Sequence, residues 1–417
     1  MIYFPAWLDI FILCVIVSLG SLKQIQLGTT LLVAAAVLGL MGGLGPAGLW
    51  GALFSTLTSS VTLTLILSVI LLGLFNSLMK ETGLLEKFMS GLYTMIADRR
   101  LIASILAMLV GLMPILGGAV FSAPLVEEAS ADLKLQPERK AAINVFFRHI
   151  IYLLYPLYPA MIITVELTGL NLGRVLLNNV PAAMIALFLS LVLMFKGTGP
   201  FRISIKPNAG ALMAILPVSL SMLLMILLAV WANLYFPLAI LAGLAAAFAS
   251  FILYPGNIVK AKNGMFFKNI MRDGFQYRVL MAILGIMFLQ EVLKGTGVLE
   301  ESLGQLLGSG IPLYLLAITA PLMVSLLTGD NTAAMGILLP TFLVLDGFGG
   351  PGIYSFVALM YVSAFLGNVI SPVHICLSLT KEFFQAELGK IYRYLAPPLF
   401  AALLATIFLV MLKQGLF

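Results

Sequence analysis

The stretch Ser325-Leu-Leu-Thr-Gly-Asp-Asn-Thr-Ala-Ala-Met-Gly-Ile-Leu-Leu-Pro340 places a carboxylate, an amide and hydroxyl groups inside a long apolar run. Residues 311–327 before its polar centre and 333–345 after it are almost entirely apolar. A carboxylate at membrane depth costs about 2.5–3.5 kcal/mol unless it is paired, hydrated or bound to something. Gly329 interrupts the helix, so nearby backbone N–H and C=O groups lose their helical hydrogen bonds. Within a membrane, such groups are tolerated only where they are buried in protein or line a water-filled cavity. The stretch therefore predicts half of a solute-binding site.

The composition indicates a polytopic, all-α protein of the inner or plasma membrane. Hydrophobic residues make up 61% of the 417 residues and charged residues only 10%, whereas soluble proteins carry about 25% charged residues. The segment Met1 to Asp9 lacks a basic region and a cleavage site, so we expect the first apolar segment to be retained as a span. Basic residues are scattered between apolar runs, which argues against nucleic acid as a partner.

At about 20 apolar residues per membrane helix, the sequence predicts ten spans. They are residues 5–22, 27–49, 55–79, 141–168, 175–196, 210–231, 234–254, 278–294, 352–378 and 394–412. Two further apolar stretches, 101–126 and 311–345, are interrupted by Met113-Pro-Ile-Leu-Gly-Gly118 and Thr328-Gly-Asp-Asn331. Each stretch fits either ordinary spans or a re-entrant hairpin, which enters and leaves the membrane on one side.

Loop charge favours two re-entrant hairpins. In that arrangement 19 Lys and Arg residues lie on one side, three lie on the other and Arg148 lies within a span, which accounts for all 23 in the chain. If each stretch crosses once instead, the two sides carry nearly equal numbers. The positive-inside rule therefore predicts two hairpins and places both termini outside.

The two halves of the chain resemble each other. Lys80-Glu-Thr-Gly-Leu-Leu-Glu86 and Lys294-Gly-Thr-Gly-Val-Leu-Glu300 share five of seven residues, and each precedes a predicted hairpin. The hairpins open to opposite sides, so the predicted repeat is inverted, and interrupted segments at matching places in inverted halves mark transporter sites. We expect a first repeat at 1–196, a cytoplasmic linker at 197–209 and a second repeat at 210–417.

In the first half, the hairpin tip offers Gly117, Gly118 and Ser122. At the break of a membrane helix, the N–H groups at the N-terminus of the following helix can bind an anion. The carbonyl groups that have lost their helical hydrogen bonds can bind Na⁺. The alternative is a glycine notch that serves packing alone. Glu127 and the adjacent Glu128 either mark the exit of the helix into the cytoplasm or supply a protonatable carboxylate.

The following span brings Arg148 and His149 into an apolar helix. Arg148 lies eight residues past Lys140, so we expect it to extend to the cytoplasmic surface, the alternative being to neutralise a carboxylate. His149 either makes a structural hydrogen bond or relays a proton. Tyr158 belongs to Tyr155-Pro-Leu-Tyr-Pro159, where two prolines break the span and free its carbonyls for binding.

In the second half, Asn368, Ser371 and His374 recur every three residues, which places them on one face if the helix is continuous, although Pro372 indicates a break there. At the second hairpin tip we assign substrate contacts to Thr328, Gly329, Asn331 and Thr332. Asp330 is the expected coupling residue, exchanging a proton or binding Na⁺. The alternative for Asn368, Ser371 and His374 is polar side chains that satisfy one another within a helical bundle.

The two cysteines, Cys14 and Cys376, show neither a pairing pattern nor metal-ligand spacing. We expect no disulfide, no metal site and no cofactor besides a coupling ion. The chain also lacks the H-E-x-x-H and G-x-S-x-G motifs of hydrolases and a phosphate-binding loop, so we expect a protein that is not an enzyme and is not driven directly by ATP.

These features resemble the ion transporter superfamily, which includes gluconate permeases, citrate–metal symporters and divalent-anion:sodium symporters. Gly117-Gly-Ala-Val-Phe-Ser-Ala-Pro124 and Ser371-Pro-Val-His-Ile-Cys-Leu377 look most like a prokaryotic branch of unknown function. The resemblance implies an elevator-type homodimer with scaffolds at 1–54 and 210–277 and transport elements at 55–196 and 278–417. It also implies that Asn331 and Thr332 bind a substrate carboxylate.

The resemblance is incomplete at the first hairpin, where the divalent-anion members carry a second Ser-Asn-Thr and this chain carries two glycines. The preferred hypothesis is a cation-coupled secondary transporter, driven by H⁺ or Na⁺, for a small organic anion. The alternative is a cation/proton antiporter, which Asp330 favours.

Overall fold

The computed structural model describes residues 25–112, 118–199, 208–232, 234–253, 265–345 and 352–413, with parts of 12–23. Regular structure in these residues is helical, as the composition predicted. The helices are α1 Leu27–Met41, α2 Gly45–Thr58, α3 Ser60–Glu81, α4 Leu84–Met95, α5 Arg99–Gly111, α6 Ala119–Ala129, α7 Pro137–Ile150, α8 Pro159–Thr168, α9 Leu172–Met194, α10 Ala209–Val230, α11 Phe236–Leu253, α12 Met265–Gly274, α13 Tyr277–Thr296, α14 Val298–Gly308, α15 Leu313–Thr328, α16 Asn331–Leu343, α17 Ile353–Ile370, α18 Ile375–Phe384 and α19 Leu388–Lys413.

Within this part of the chain, seven helical segments are long and apolar enough to cross a membrane. They correspond to predicted spans, although the segments 265–296 and 353–384 each include a break. Most of the predicted span 5–22 lies outside the described residues. The structure therefore supports the membrane class and leaves the number of ten spans a prediction.

The predicted single span at 27–49 is wrong, because the helix ends and restarts near its middle. Helix α1 ends at Met41, and α2 begins at Gly45 with Pro46 in its first turn. Gly43, with φ +81°, takes the left-handed conformation that glycine adopts without steric cost. Hydrophobicity alone did not reveal this break, because the glycines and their neighbours are apolar.

Two pairs of short helices occupy the predicted hairpins. Helix α5 packs against α6, and α15 packs against α16. These helices have 11 to 16 residues, so each is about 16–24 Å long, which is shorter than the roughly 30 Å hydrocarbon core of a membrane. None of the four is long enough to cross by itself.

The matching heptapeptides adopt the same structure. Gly83 separates α3 from α4 with φ 71° and ψ 13°, and Gly297 separates α13 from α14 with φ 68° and ψ 6°. The helices that follow then recur in the same order, a hairpin, a broken helix and a long helix, in α5–α9 and α15–α19.

Each hairpin is contacted by the broken helices of both halves. The break between α7 and α8 lies at residues 151–158, and the break between α17 and α18 lies at 371–374. Helix α7 packs on α5 while α8 packs on α16, and α17 packs on α15 while α18 packs on α6. Both breaks and both hairpins therefore meet in one buried region.

Candidate functional site

Arg148 lies deep inside the protein, with 1% of its surface exposed. Every residue of α7 from Ala141 to Ile150 is buried, because α5, α6, α18 and α19 cover that helix. The Nη1 atom of Arg148 donates to the Val110 carbonyl at 3.2 Å. The expectation that this side chain reaches the cytoplasmic surface is therefore wrong. Its distance from Lys140 can be read from the sequence, whereas the helices that cover it cannot.

The guanidinium of Arg148 lies directly against the first hairpin. A Cβ atom placed on Gly118 would lie only 2.3 Å from Nη2, so only glycine fits without displacing the arginine. Gly118 is the N-cap of α6, where unpaired N–H groups carry partial positive charge. The side chain of Arg148 and the N-terminus of α6 therefore place positive charge together, which favours an anion beside them.

The second hairpin turns through Gly329 and Asp330. Gly329 has φ +66°, and its backbone lies against that of His374, since a Cβ there would lie 3.1 Å from the His374 nitrogen. The carboxylate of Asp330 accepts a 2.7 Å hydrogen bond from the Thr332 backbone and so caps α16. The Thr328 hydroxyl accepts from the Asp330 nitrogen at 3.2 Å. These contacts fix the shape of the tip.

Asn331 connects the two halves of the chain at this tip. Its Oδ1 atom accepts a 2.8 Å hydrogen bond from the Tyr158 hydroxyl. Its Nδ2 atom is buried and has no hydrogen-bond partner among the described residues. The Tyr158 ring stacks on Tyr152, with centroids 3.9 Å apart, and the Tyr152 side chain interacts with that of Arg148. The two stacked tyrosines thus link the arginine to the asparagine.

Both histidines of the chain meet in the same region. The Nε2 atoms of His149 and His374 are 2.9 Å apart. His374 Nδ1 lies 2.5 Å from Asn368 Oδ1 and 3.1 Å from the Gly329 carbonyl oxygen. His149 Nδ1 lies 2.6 Å from the Val145 carbonyl oxygen. Asn368 and His374, predicted as site residues, are therefore in direct contact with each other.

Asn368, Ser371 and His374 do not share one helical face, because the condition of a continuous helix is not met. Helix α17 ends at Ile370, and α18 begins after His374, because the segment contains Pro372. Ser371 donates instead to the Leu326 carbonyl of α15 at 2.6 Å. The break, rather than helical periodicity, brings His374 back toward Asn368.

Two predicted site residues, Ser122 and Glu127, make their hydrogen bonds or ion pair outside this cluster, and a third lies outside the described residues. The Ser122 hydroxyl is buried and donates, at 3.4 Å, to the Gly118 and Ala119 carbonyls of its own helix. Glu127 pairs with Lys140 at 2.7 Å, in keeping with a helix exit. Gly117 lies outside the described residues.

Two residues of the cluster were missed from the sequence. Tyr152 follows Arg148 by four residues, a spacing that brings side chains together on a helix and was available as a signal. Cys376 lies within 4.8 Å of the ring nitrogens of His149 and His374, measured from its sulfur. It follows His374 by two residues, but nothing local in the sequence relates it to His149.

The fold is similar to that of the YdaH transporter of Alcanivorax borkumensis, whose crystal structure was described as revealing an unusual topology. The TM-score is 0.63 at 15% sequence identity, over 95% of this chain and 98% of that one. At this identity the likeness establishes the fold alone.

No curated protein matches the sequence. A family described as "Protein of unknown function (DUF401)" matches residues 7–416, nearly the full length, and the chain belongs to that family.

Proposed function

We propose that the chain is a secondary active transporter of the ion transporter superfamily type, which moves a small organic anion coupled to H⁺ or Na⁺. The observation that carries the proposal is the fully buried guanidinium of Arg148 against the N-terminus of α6. Positive charge is concentrated where this guanidinium meets a helix N-terminus, and a substrate carboxylate can bind a guanidinium through two parallel hydrogen bonds.

The second hairpin supplies the other half of the anion site. Helix α16 begins at Asn331, so its N-terminal N–H groups face the same buried region as the N-terminus of α6. The buried Nδ2 of Asn331 is a further donor suited to a carboxylate oxygen. Half-helix N-termini that point at an anionic group near the membrane midplane are typical of secondary transporters.

Asp330 is the proposed coupling residue. Its carboxylate is partly exposed and lies beside the anion site, in the turn whose Gly329 carbonyl faces His374 Nδ1 at 3.1 Å. A bound Na⁺ or proton there offsets the charge of Asp330, so the anion and the cation favour each other's binding. His149 is a second candidate for the proton, since it contacts His374 from the opposite half.

The proposed movement is an elevator. The hairpins and broken helices pack on one another and form the moving part, within 55–196 and 278–417. The scaffolds, at 1–54 and 210–277, include α10, whose exposed face carries Met213 and Leu220 among other apolar residues. Such a face suits lipid or a second scaffold, and we propose a second scaffold there, in a homodimer.

The alternative, a cation/proton antiporter, needs Asp330 but gives Arg148 no role.

Purified protein is tested by thermal shift with lactate, succinate, citrate and gluconate, each in sodium and in potassium buffer at two pH values. A ligand that binds only the folded state raises the melting temperature. Stabilisation by one acid, stronger in sodium or at one pH, supports the coupled anion transporter. Stabilisation by cations or pH alone, with no acid effective, supports the antiporter.

A further inference from the structure

The site contains a cluster of two histidines and a cysteine, of which the proposed function uses only His149, as a second candidate for the proton. The chain has two histidines and two cysteines, and both histidines and one of the cysteines meet at one point. The ligand atoms of His149, His374 and Cys376 all lie within 4.8 Å of one another. His149 comes from the end of α7 and the other two from the start of α18, so the two halves of the chain build the cluster together.

The hydrogen bonds of the two imidazoles fix where their protons lie. His149 Nδ1 faces the Val145 carbonyl and His374 Nδ1 faces the Gly329 carbonyl, and carbonyl oxygens only accept. Each Nδ1 therefore carries a hydrogen, which leaves the Nε2 lone pairs of two neutral rings facing each other at 2.9 Å. Two lone pairs at that distance repel, so the arrangement calls for a cation between them.

We propose that His149, His374 and Cys376 bind a borderline-soft transition-metal ion of the Zn²⁺ class. Tetrahedral Zn²⁺ with Zn–N bonds of about 2.0–2.1 Å holds two ligand nitrogens about 3.4 Å apart. The Nε2 atoms are now 2.9 Å apart, so the two rings must separate by about 0.5 Å when the ion binds. Imidazole and thiolate are the donors that such ions select. Three protein ligands leave a fourth position open for water or a solute.

The surroundings of the cluster fit a metal site. Metal-ligating histidines commonly donate their second N–H to a carbonyl or amide oxygen, as both rings do here. The three residues are buried: His149 is 1% exposed, and His374 and Cys376 are each 8% exposed. Arg148 interacts electrostatically with Cys376 and offsets the charge of a thiolate.

The binding step balances without a further reactant. The Cys376 S–H bond breaks, the proton passes to solvent and the sulfur binds the metal, while each Nε2 donates its lone pair. The bound ion then joins α7 of the first half to α18 of the second. This inference is independent of the transported solute, and it departs from the expectation of no metal site, which rested on local spacing alone.

The test uses the full chain with an affinity tag that contains no histidine, stripped of metal with a chelator. Co²⁺ is the spectroscopic probe and Zn²⁺ the competitor. We expect one Co²⁺ per chain, with a thiolate-to-cobalt charge-transfer band that one equivalent of Zn²⁺ removes, and a higher melting temperature in Zn²⁺. If the wild-type protein shows no such band and no bound metal, the proposal is wrong and a shared proton joins the two rings instead.

Variants assign the ligands. Cys376→Ser removes the charge-transfer band and lowers Co²⁺ affinity at least tenfold, whereas the control Cys14→Ser, at the only other cysteine, retains both. Asn368→Ala keeps all three ligands and is expected to lower affinity about 10- to 100-fold by releasing His374. A band that survives Cys376→Ser contradicts the proposal. The wild-type titration decides the question even if a variant fails to fold.

Discussion

The hydroxyl of Tyr158 donates a 2.8 Å hydrogen bond to Oδ1 of Asn331, and this bond joins the broken helix of the first half to the second hairpin tip. Because the bond occupies Oδ1, it turns the Nδ2 donor of Asn331 toward other partners. The tyrosine therefore orients an amide that we assign to the substrate.

Tyr158→Phe removes this bond and leaves the asparagine free to rotate. We expect the variant to lose about 0.5–1.5 kcal/mol of unfolding free energy and to bind the stabilising acid more weakly. The control is Tyr235→Phe, which loses a bond of the same length to Thr64 outside the site. Thermal shift of both variants with and without the acid separates the effects. Equal acid responses in the two variants would remove Tyr158 from the site.

Gly118→Ala tests the contact between the first hairpin and Arg148. The added Cβ displaces the guanidinium or the hairpin tip, because it would lie 2.3 Å from Nη2. We expect acid binding to fall about tenfold or more, with a loss of stability of about 1–3 kcal/mol. Gly304→Ala is the control, since nothing lies near a Cβ at that position. Unchanged acid binding in Gly118→Ala contradicts the assignment.

Asp330→Asn separates the charge of this residue from its capping role. Asparagine caps helices as well as aspartate does, so the unfolding free energy should stay within about 1 kcal/mol of wild type. Asp330→Ala should lose about 0.5–2 kcal/mol. We expect both variants to lose the dependence of acid binding on sodium or pH. Retained dependence in a folded Asp330→Asn protein would exclude Asp330 as the coupling residue.

The topology predicts which loops share a side. Residues 97 and 136 flank the first hairpin, and single cysteines at both positions should react with a membrane-impermeant maleimide from the inside. A cysteine at 309 should react from the outside. The parent protein, without an introduced cysteine, gives the background. If residues 97 and 136 react from opposite sides, the first hairpin crosses the membrane and the inverted arrangement is wrong.

The fold could be predicted from the sequence wherever a local signal marked it. Apolar length located the long helices, and Tyr155-Pro-Leu-Tyr-Pro159 and Pro372 marked both broken helices. The turn at Gly329 and Asp330 was likewise evident, because polar groups interrupt an apolar run. The break at Gly43 was not, because its neighbours are apolar.

The site could be predicted only in part, because its contacts are distant in sequence. Asn331 and Tyr158 were each selected, but nothing local shows that they form a bond. His149 and His374 are separated by 225 positions, and the burial of Arg148 depends on packing by other helices. Local spacing therefore identified individual residues, and only the tertiary structure shows which of them meet.

The central claim is that Arg148 holds a substrate carboxylate, and Arg148→Lys tests it most directly. Lysine keeps the charge but loses the planar fork that binds a carboxylate through two hydrogen bonds. Arg139→Lys is the matched control, since Arg139 lies on the same helix and donates to the Lys196 carbonyl at the surface. Isothermal titration with the stabilising acid should show affinity about 10- to 100-fold lower in Arg148→Lys and unchanged in Arg139→Lys. Wild-type affinity in a folded Arg148→Lys protein would contradict the account.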